Sequence, residues 1–188
     1  MAITINGTGT VTGLSAGGLN DGAIAKSDLA DSVKPVFIGY ALLEDQKSSG
    51  TDGGTATSGS WFTRTLNTTV TNPNSIVTDL SSNQFTLGAG NYLIKWTSPH
   101  YGTDGATSRL YDVTNSAVIG NGASCYPKSH GAETTCQGAA RATPSGSTVY
   151  RIEARVQTTE NTYGCGVATS SFGKTEVYTQ VEIYKESS

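Results

Sequence analysis

Between Val36 and Lys185 the chain runs in short stretches where apolar and polar residues alternate, each closed by Gly, Asn, Asp, Pro or Ser. A period of two suits a pleated strand with one face in a core, whereas a helix buries residues every three to four positions. NYLIKWTS (91–98) sets Tyr92, Ile94 and Trp96 on one side. TVYRIEARVQTT (148–159) sets Val149, Arg151, Glu153 and Arg155 against Tyr150, Ile152, Ala154 and Val156. TEVYTQVEIYKE (175–186) divides the same way, with Val177, Thr179, Val181 and Ile183 opposite Tyr178, Gln180, Glu182 and Tyr184. VFIGYALLE (36–44) is apolar on both sides, as a strand between a core and a partner surface would be. WFTRTL (61–66), SIVTDL (75–80), QFTL (84–87), YGCGVATS (163–170) and a hairpin of SRLYDV (108–113) with AVIG (117–120) complete the series. The sum is about nine or ten strands and no helix of normal length, which predicts an all-β sandwich.

The same pattern argues against disorder. Hydrophobic residues are 36% and charged residues 14%, both low, yet the β-branched and aromatic residues fall in periodic clusters. A body of this size can sustain one core. Residues 1–35 read differently. Gly13, Gly17, Gly18 and Gly22 prevent regular packing, two tiny strands flank Asn6-Gly7, and AIAKSDLADSV (23–33) offers one or two helical turns. The division expected is an extended attachment segment at 1–35 and a β domain at 36–188.

Charge and motifs exclude several functions. A net charge of −3, with 12 scattered basic residues against 15 acidic ones, leaves no footprint for nucleic acid. No apolar run approaches the length that spans a membrane, and the N-terminus has no secretory pattern. Cys125, Cys136 and Cys165 are odd in number and lack a C-x-x-C pair. A disulfide framework is not expected, and a reducing compartment is favoured. One Cys125–Cys136 bridge across a hairpin stays open as the alternative. Phe172-Gly173-Lys174-Thr175 imitates a P-loop end, but Ala168 stands where its first glycine should, and a strand follows instead of a helix. His100 and His130 lie in no zinc-ligand spacing. Asp45, Asp52, Asp104 and Asp112 lie in or beside loops without a calcium-loop pattern. Serine is so abundant that the sequence alone defines no Ser-His-Asp arrangement. The expectation is a protein that is not an enzyme and carries no metal or cofactor.

Four stretches carry a resemblance: DQKSSGTDGGTATSGSWFTRTLN (45–67), SSNQFTLGAGNYLIKWTSPHY (81–101), RLYDVTNS (109–116) and GVATSSFGKTEVYTQVEIYKE (166–186). They resemble the C1q/TNF-like jelly-roll modules of bacteriophage fibres, with F-T-L-x-A-G-x-Y near the middle and an aromatic last strand. The opening ITINGTGTVTGLSAGGLNDGAIAKSDLAD is similar to the lead of cyanophage tail or fibre proteins. The resemblance implies a jelly roll of about ten strands, a homotrimer, and a virion fibre or appendage assembled in the bacterial cytoplasm. It also implies that the lead joins other virion proteins.

Two functions follow as expectations. One is a trimeric fibre or tail appendage whose loops bind a host-surface glycan or receptor. Its ligand contacts would come from loops 46–60, 100–106 and 121–135, with His100, Tyr101, Asp104, Tyr126 and His130 as the rings and hydrogen-bonding groups. The other is a head-fibre or capsid-cement protein with a purely structural role. A lead of this length reaches at most about 120 Å, which favours a stubby appendage in either case. Tyr40, Leu42, Tyr178 and Tyr184 are the expected trimer contacts, because outward apolar residues on the first and last strands need cover.

Overall fold

The computed structural model describes residues 35–128, 132–169 and 172–187. The expectations for the lead fall on residues 1–34 and so lie outside the described part, as does His130.

Eleven strands form two layers. They are β1 (Phe37–Lys47), β2 (Phe62–Thr63), β3 (Thr68–Thr71), β4 (Val77–Ser81), β5 (Gln84–Leu87), β6 (Tyr92–Tyr101), β7 (Ala106–Asp112), β8 (Ala117–Asn121), β9 (Glu133–Ala142), β10 (Thr148–Val156) and β11 (Glu176–Glu186). One sheet has five strands in the order β3-β1-β11-β6-β9; the other has six, β4-β5-β10-β7-β8, with β2 also paired to β10. Every pairing is antiparallel.

Alternation does what the sequence predicts. Ala41, Leu43, Ile94, Trp96, Val181 and Ile183 point inward from the five-stranded sheet, and Phe85, Leu87, Leu110, Tyr150 and Ile152 meet them from the other. Trp96 joins the layers. Its ring lies against Gly138 on β9, where a side chain would collide with it, and its Nε1 donates to Ser108 Oγ on β7 at 2.9 Å. The sandwich edge beyond β8 is stitched by Ala123 N donating to Gln137 O.

Four segments differ from expectation, the first being β3, which pairs with β1 where no strand is expected. WFTRTL shrinks to Phe62–Thr63, because Arg64 turns inward and Leu66 is already core. YGCGVATS forms no strand; Gly166 sits at φ +126 against the Tyr178 ring, a conformation and closeness that only glycine tolerates. β9 is a strand that ETTCQGAARA does not announce by apolar alternation, because its inward positions carry small residues: Gly138 beneath the large Trp96, with Cys136 and Ala142 to either side.

The topology separates two ends. β1 and β11 are neighbours, and Ser187 N donates to Val36 O, so the chain enters and leaves the domain side by side. β1 then carries the chain away over eleven residues, about 35 Å at strand rise, to the segment 48–61. The segments 102–105, 122–128 and 157–169 gather at that far end, since β6 and β10 finish there and β7, β9 and β11 begin there.

Candidate functional site

Two regions could meet a partner: the far loop end and the outward faces of the sheets. At the loop end, backbone hydrogen bonds tie distant segments together. Gly53 N donates to Gly166 O, Ala56 and Glu160 exchange both of their bonds, and Asp104 N donates to Pro127 O. Lys47 Nζ donates to Gly53 O, and Cys125 is bonded to Cys136. That bridge is the alternative the sequence leaves open, taken in place of three free thiols: the two Cα atoms stand 5.5 Å apart. Cys165 stays free and buried, its thiol pKa pushed up by burial.

The expected ligand residues divide. Tyr126 is 63% exposed and Asp104 lies close to its segment, but Asp104 already accepts from Thr158 Oγ1 at 2.7 Å. Tyr101 is half-buried, edge-on to Tyr163 with centroids 5.4 Å apart. His100 is corrected outright. It occupies an inward position on β6, fully buried, with Nε2 3.2 Å from Ser98 Oγ. Burial lowers its pKa to about 3, helped by the Arg64 charge, so the ring is neutral. A surface ligand does not reach it.

His100 belongs to a buried polar set that the sequence did not announce. Arg64 is 1% exposed, its Nε donating to Thr179 Oγ1 (3.0 Å) and its Nη2 to Cys165 O (2.9 Å). Asp45 is equally buried, and burial raises its pKa against the opposing pull of Lys47 and Arg64. The signal was there in principle: Asp45, Ser98, His100 and Thr179 all share strand parity with core residues. Among the described residues no cluster of His, Cys, Asp and Glu suited to a metal ion occurs. Asp112 caps its own turn, accepting from Asn115 N, and Asp52 ties two distant segments, accepting from Ala168 N.

The outward face of the five-stranded sheet carries an aromatic cluster near the chain entry. Tyr184 lies 5.0 Å from Tyr40 and 5.2 Å from Phe37, centroid to centroid. Burial and the nearby Glu182 raise the pKa of both Tyr40 and Tyr184. Leu42 continues the face into a depression of about 320 Å³ bordered by Lys95, Gln137, Gln180 and Glu182. Gln180 Nε2 donates to Glu44 Oε1 at 2.7 Å, and Lys95 pairs with Glu182 at 3.4 Å. Tyr178 departs from the set. Its ring shares this parity but is only 5% exposed, covered by its own chain: the hydroxyl donates to Thr51 O (2.7 Å) and Lys47 Nζ stands over the ring. Tyr178 therefore offers no ring to a neighbouring copy.

The outward face of the six-stranded sheet carries an arginine–aromatic ladder. The Arg109 guanidinium lies 4.0 Å from the Trp61 ring centre and 4.9 Å from that of Tyr111, and Arg151 lies 5.1 Å from Tyr111. Glu153, 3% exposed, accepts from Arg109 Nε (2.6 Å) and Arg151 Nε (2.8 Å). Sequence reading placed Arg151, Glu153 and Arg155 on one face. The register that sets Glu153 opposite Arg109 and Arg151 opposite Tyr111 came only with the fold.

No protein-family model matches this sequence, and no curated protein is similar to it. Solved structures share its architecture. The globular domain of zebrafish complement 1qA superposes with a TM-score of 0.50 at 11% identity, over 78% of this chain and 95% of that one. Murine APRIL at pH 5.0 gives 0.50 at 9% identity, over 78% and 98%. The Eiger TNF of S. frugiperda covers 81% of this chain and 94% of its own at 10% identity, with a TM-score of 0.48. With the strand order above, the first two define the fold as a C1q/TNF-like jelly roll. At such identities the likeness concerns the fold alone.

Proposed function

We propose that this chain is a homotrimeric binding module, a fibre or tail appendage of a bacteriophage virion, held by residues 1–35 and presenting its loop end to a host-surface glycan or receptor. The observation that carries the reading is the outward cluster of Phe37, Tyr40 and Tyr184 with Leu42 on β1 and β11, in a chain with few aromatic residues to spare. Rings on an outward sheet face gain most when a second copy covers them, and a closed threefold arrangement covers every copy equally. Separation of the two ends supports the same reading, because the entry at Val36 and the loops at 48–61 lie at opposite ends of β1. Three loop sets on one axis also multiply a weak contact. The virion assignment draws on the sequence resemblance.

Sedimentation equilibrium of the full chain at micromolar concentration tests the assembly. Three copies are expected, with Tyr40→Ala and Tyr184→Ala each weakening association by about 1–2 kcal/mol per protomer. A wild-type chain that sediments as a single copy would overturn the proposal. Maps of intact particles test the location; density on the capsid surface and none on the tail removes the tail-appendage reading.

A further inference from the structure

Of the chain's five arginines, Arg64 is buried and Arg141 pairs with Glu186 across the other sheet. The remaining three, Arg109, Arg151 and Arg155, share the outward face of β7 and β10. With Glu153 as the acid between them they make a local charge of +2 (three arginines less one glutamate) on a chain of net charge −3.

The guanidiniums are held in place before any ligand arrives. Arg109 is fixed by Trp61, Tyr111 and Glu153, and Arg151 by Tyr111 and Glu153. Glu153 accepts from only part of each fork, which leaves further N–H donors on both. Groups held this way lose little conformational freedom on binding. Arg155 is exposed and borders a shallow depression of about 520 Å³ whose far side is formed by Tyr126. The two ends of this stripe, Arg151 and Arg155, stand four residues apart on one strand, about 13 Å. A single small anion cannot engage both.

We propose that this stripe binds an acidic polysaccharide, a chain of carboxylated sugars lying along β10. Arginine forks take carboxylates two bonds at a time, and Trp61 and Tyr126 offer rings to the C–H faces of the sugars between them. Spaced charge fits the site better than a continuous phosphate backbone does, since the Glu153 carboxylate sits in mid-stripe and the chain as a whole is acidic. The proposal rests on the surface-glycan reading above and narrows its ligand class. It also moves the ligand from the loop tips to a sheet face that the threefold contact leaves open.

The test is calorimetric titration of the full chain with polygalacturonate at low salt, with neutral dextran and a single-stranded oligonucleotide as comparisons. Binding of polygalacturonate that weakens steeply as salt rises is expected. Arg155→Ala and Tyr126→Ala, both at exposed positions, should each weaken it at least tenfold without changing the sedimentation or circular dichroism of the protein. Quenching of tryptophan emission on binding reports Trp61, because Trp96 is buried. Absence of binding, equal binding of dextran or the oligonucleotide, or unchanged affinity in both variants would each overturn the site. Sedimentation on the same samples keeps the two proposals apart. Binding by a single copy supports this site while overturning the trimer, and a trimer without binding overturns this site alone.

Discussion

The two sheets share one core but turn different faces outward. Beyond the five-stranded sheet, Phe37, Tyr40, Leu42 and Tyr184 sit among loosely paired charges, and Lys95–Glu182 is half open to water. Beyond the six-stranded sheet, the charges are locked: Glu153 is almost wholly covered and bonded from both sides by arginines that stack on rings. The first face has apolar surface without cover, and the second has cationic surface already organised. An uncovered apolar face invites another copy of the chain, and an organised cationic one invites an anion. The lesson is that strand alternation distributes residues to the outside without saying what they do there. Their cross-strand neighbours settle that.

The sharpest break in this comparison comes from the shared core. Trp96→Ala removes the side chain that spans the layers and strands the Ser108 hydroxyl, so a loss of about 3–5 kcal/mol is expected in urea unfolding. If the loss is under about 1 kcal/mol, the two sheets do not depend on one core.

His100 supplies the next effect. Its folded pKa of about 3 lies below the ordinary histidine value of 6.5, so in this window the unfolded chain binds a proton that the folded chain refuses. Stability from this group is therefore complete above pH 6.5 and falls away as pH drops toward 3. The wild type should lose about 2–3 kcal/mol more than His100→Gln between neutral pH and pH 4. Parallel profiles for the two proteins would mean that the ring is reached by water.

Smaller effects separate the outward faces. Glu153→Gln leaves two arginines without their carboxylate and should cost about 1–2 kcal/mol, discounted because both retain some contact with water. Glu182→Gln breaks an open pair and should change stability by less than about 0.5 kcal/mol. Equal losses in the two variants would erase the contrast between a locked and a loose face.

Much of the fold was legible along the chain. QFTL forms β5 over the expected residues, and SRLYDV with AVIG makes the hairpin β7–β8, whose turn is capped by the Asp112 carboxylate. The expected alternation in β10 holds except at Glu153, an outward position that Arg109 and Arg151 cover. Less of the site was legible. Tyr126 is exposed as expected, but His100 and Tyr178 are not. Parity says which face of a sheet a side chain takes, while the loop that later folds over it comes from elsewhere in the sequence. Segment 48–54 covers Tyr178 in this way; His100 instead continues the inward row of β6, which turns from apolar to polar at Ser98 and so hides its membership of the interior.

The sequence by itself determined an all-β sandwich, the run of inward residues along β6, β10 and β11, and a sparse, net acidic charge, because these depend on local period and composition. Only the tertiary structure decided that Cys125 meets Cys136, that Arg64 lies inside with His100, and that Arg109 falls between Trp61 and Glu153. Each of these pairings joins residues from different strands or loops. Their meeting depends on register and layer order, which no local pattern encodes.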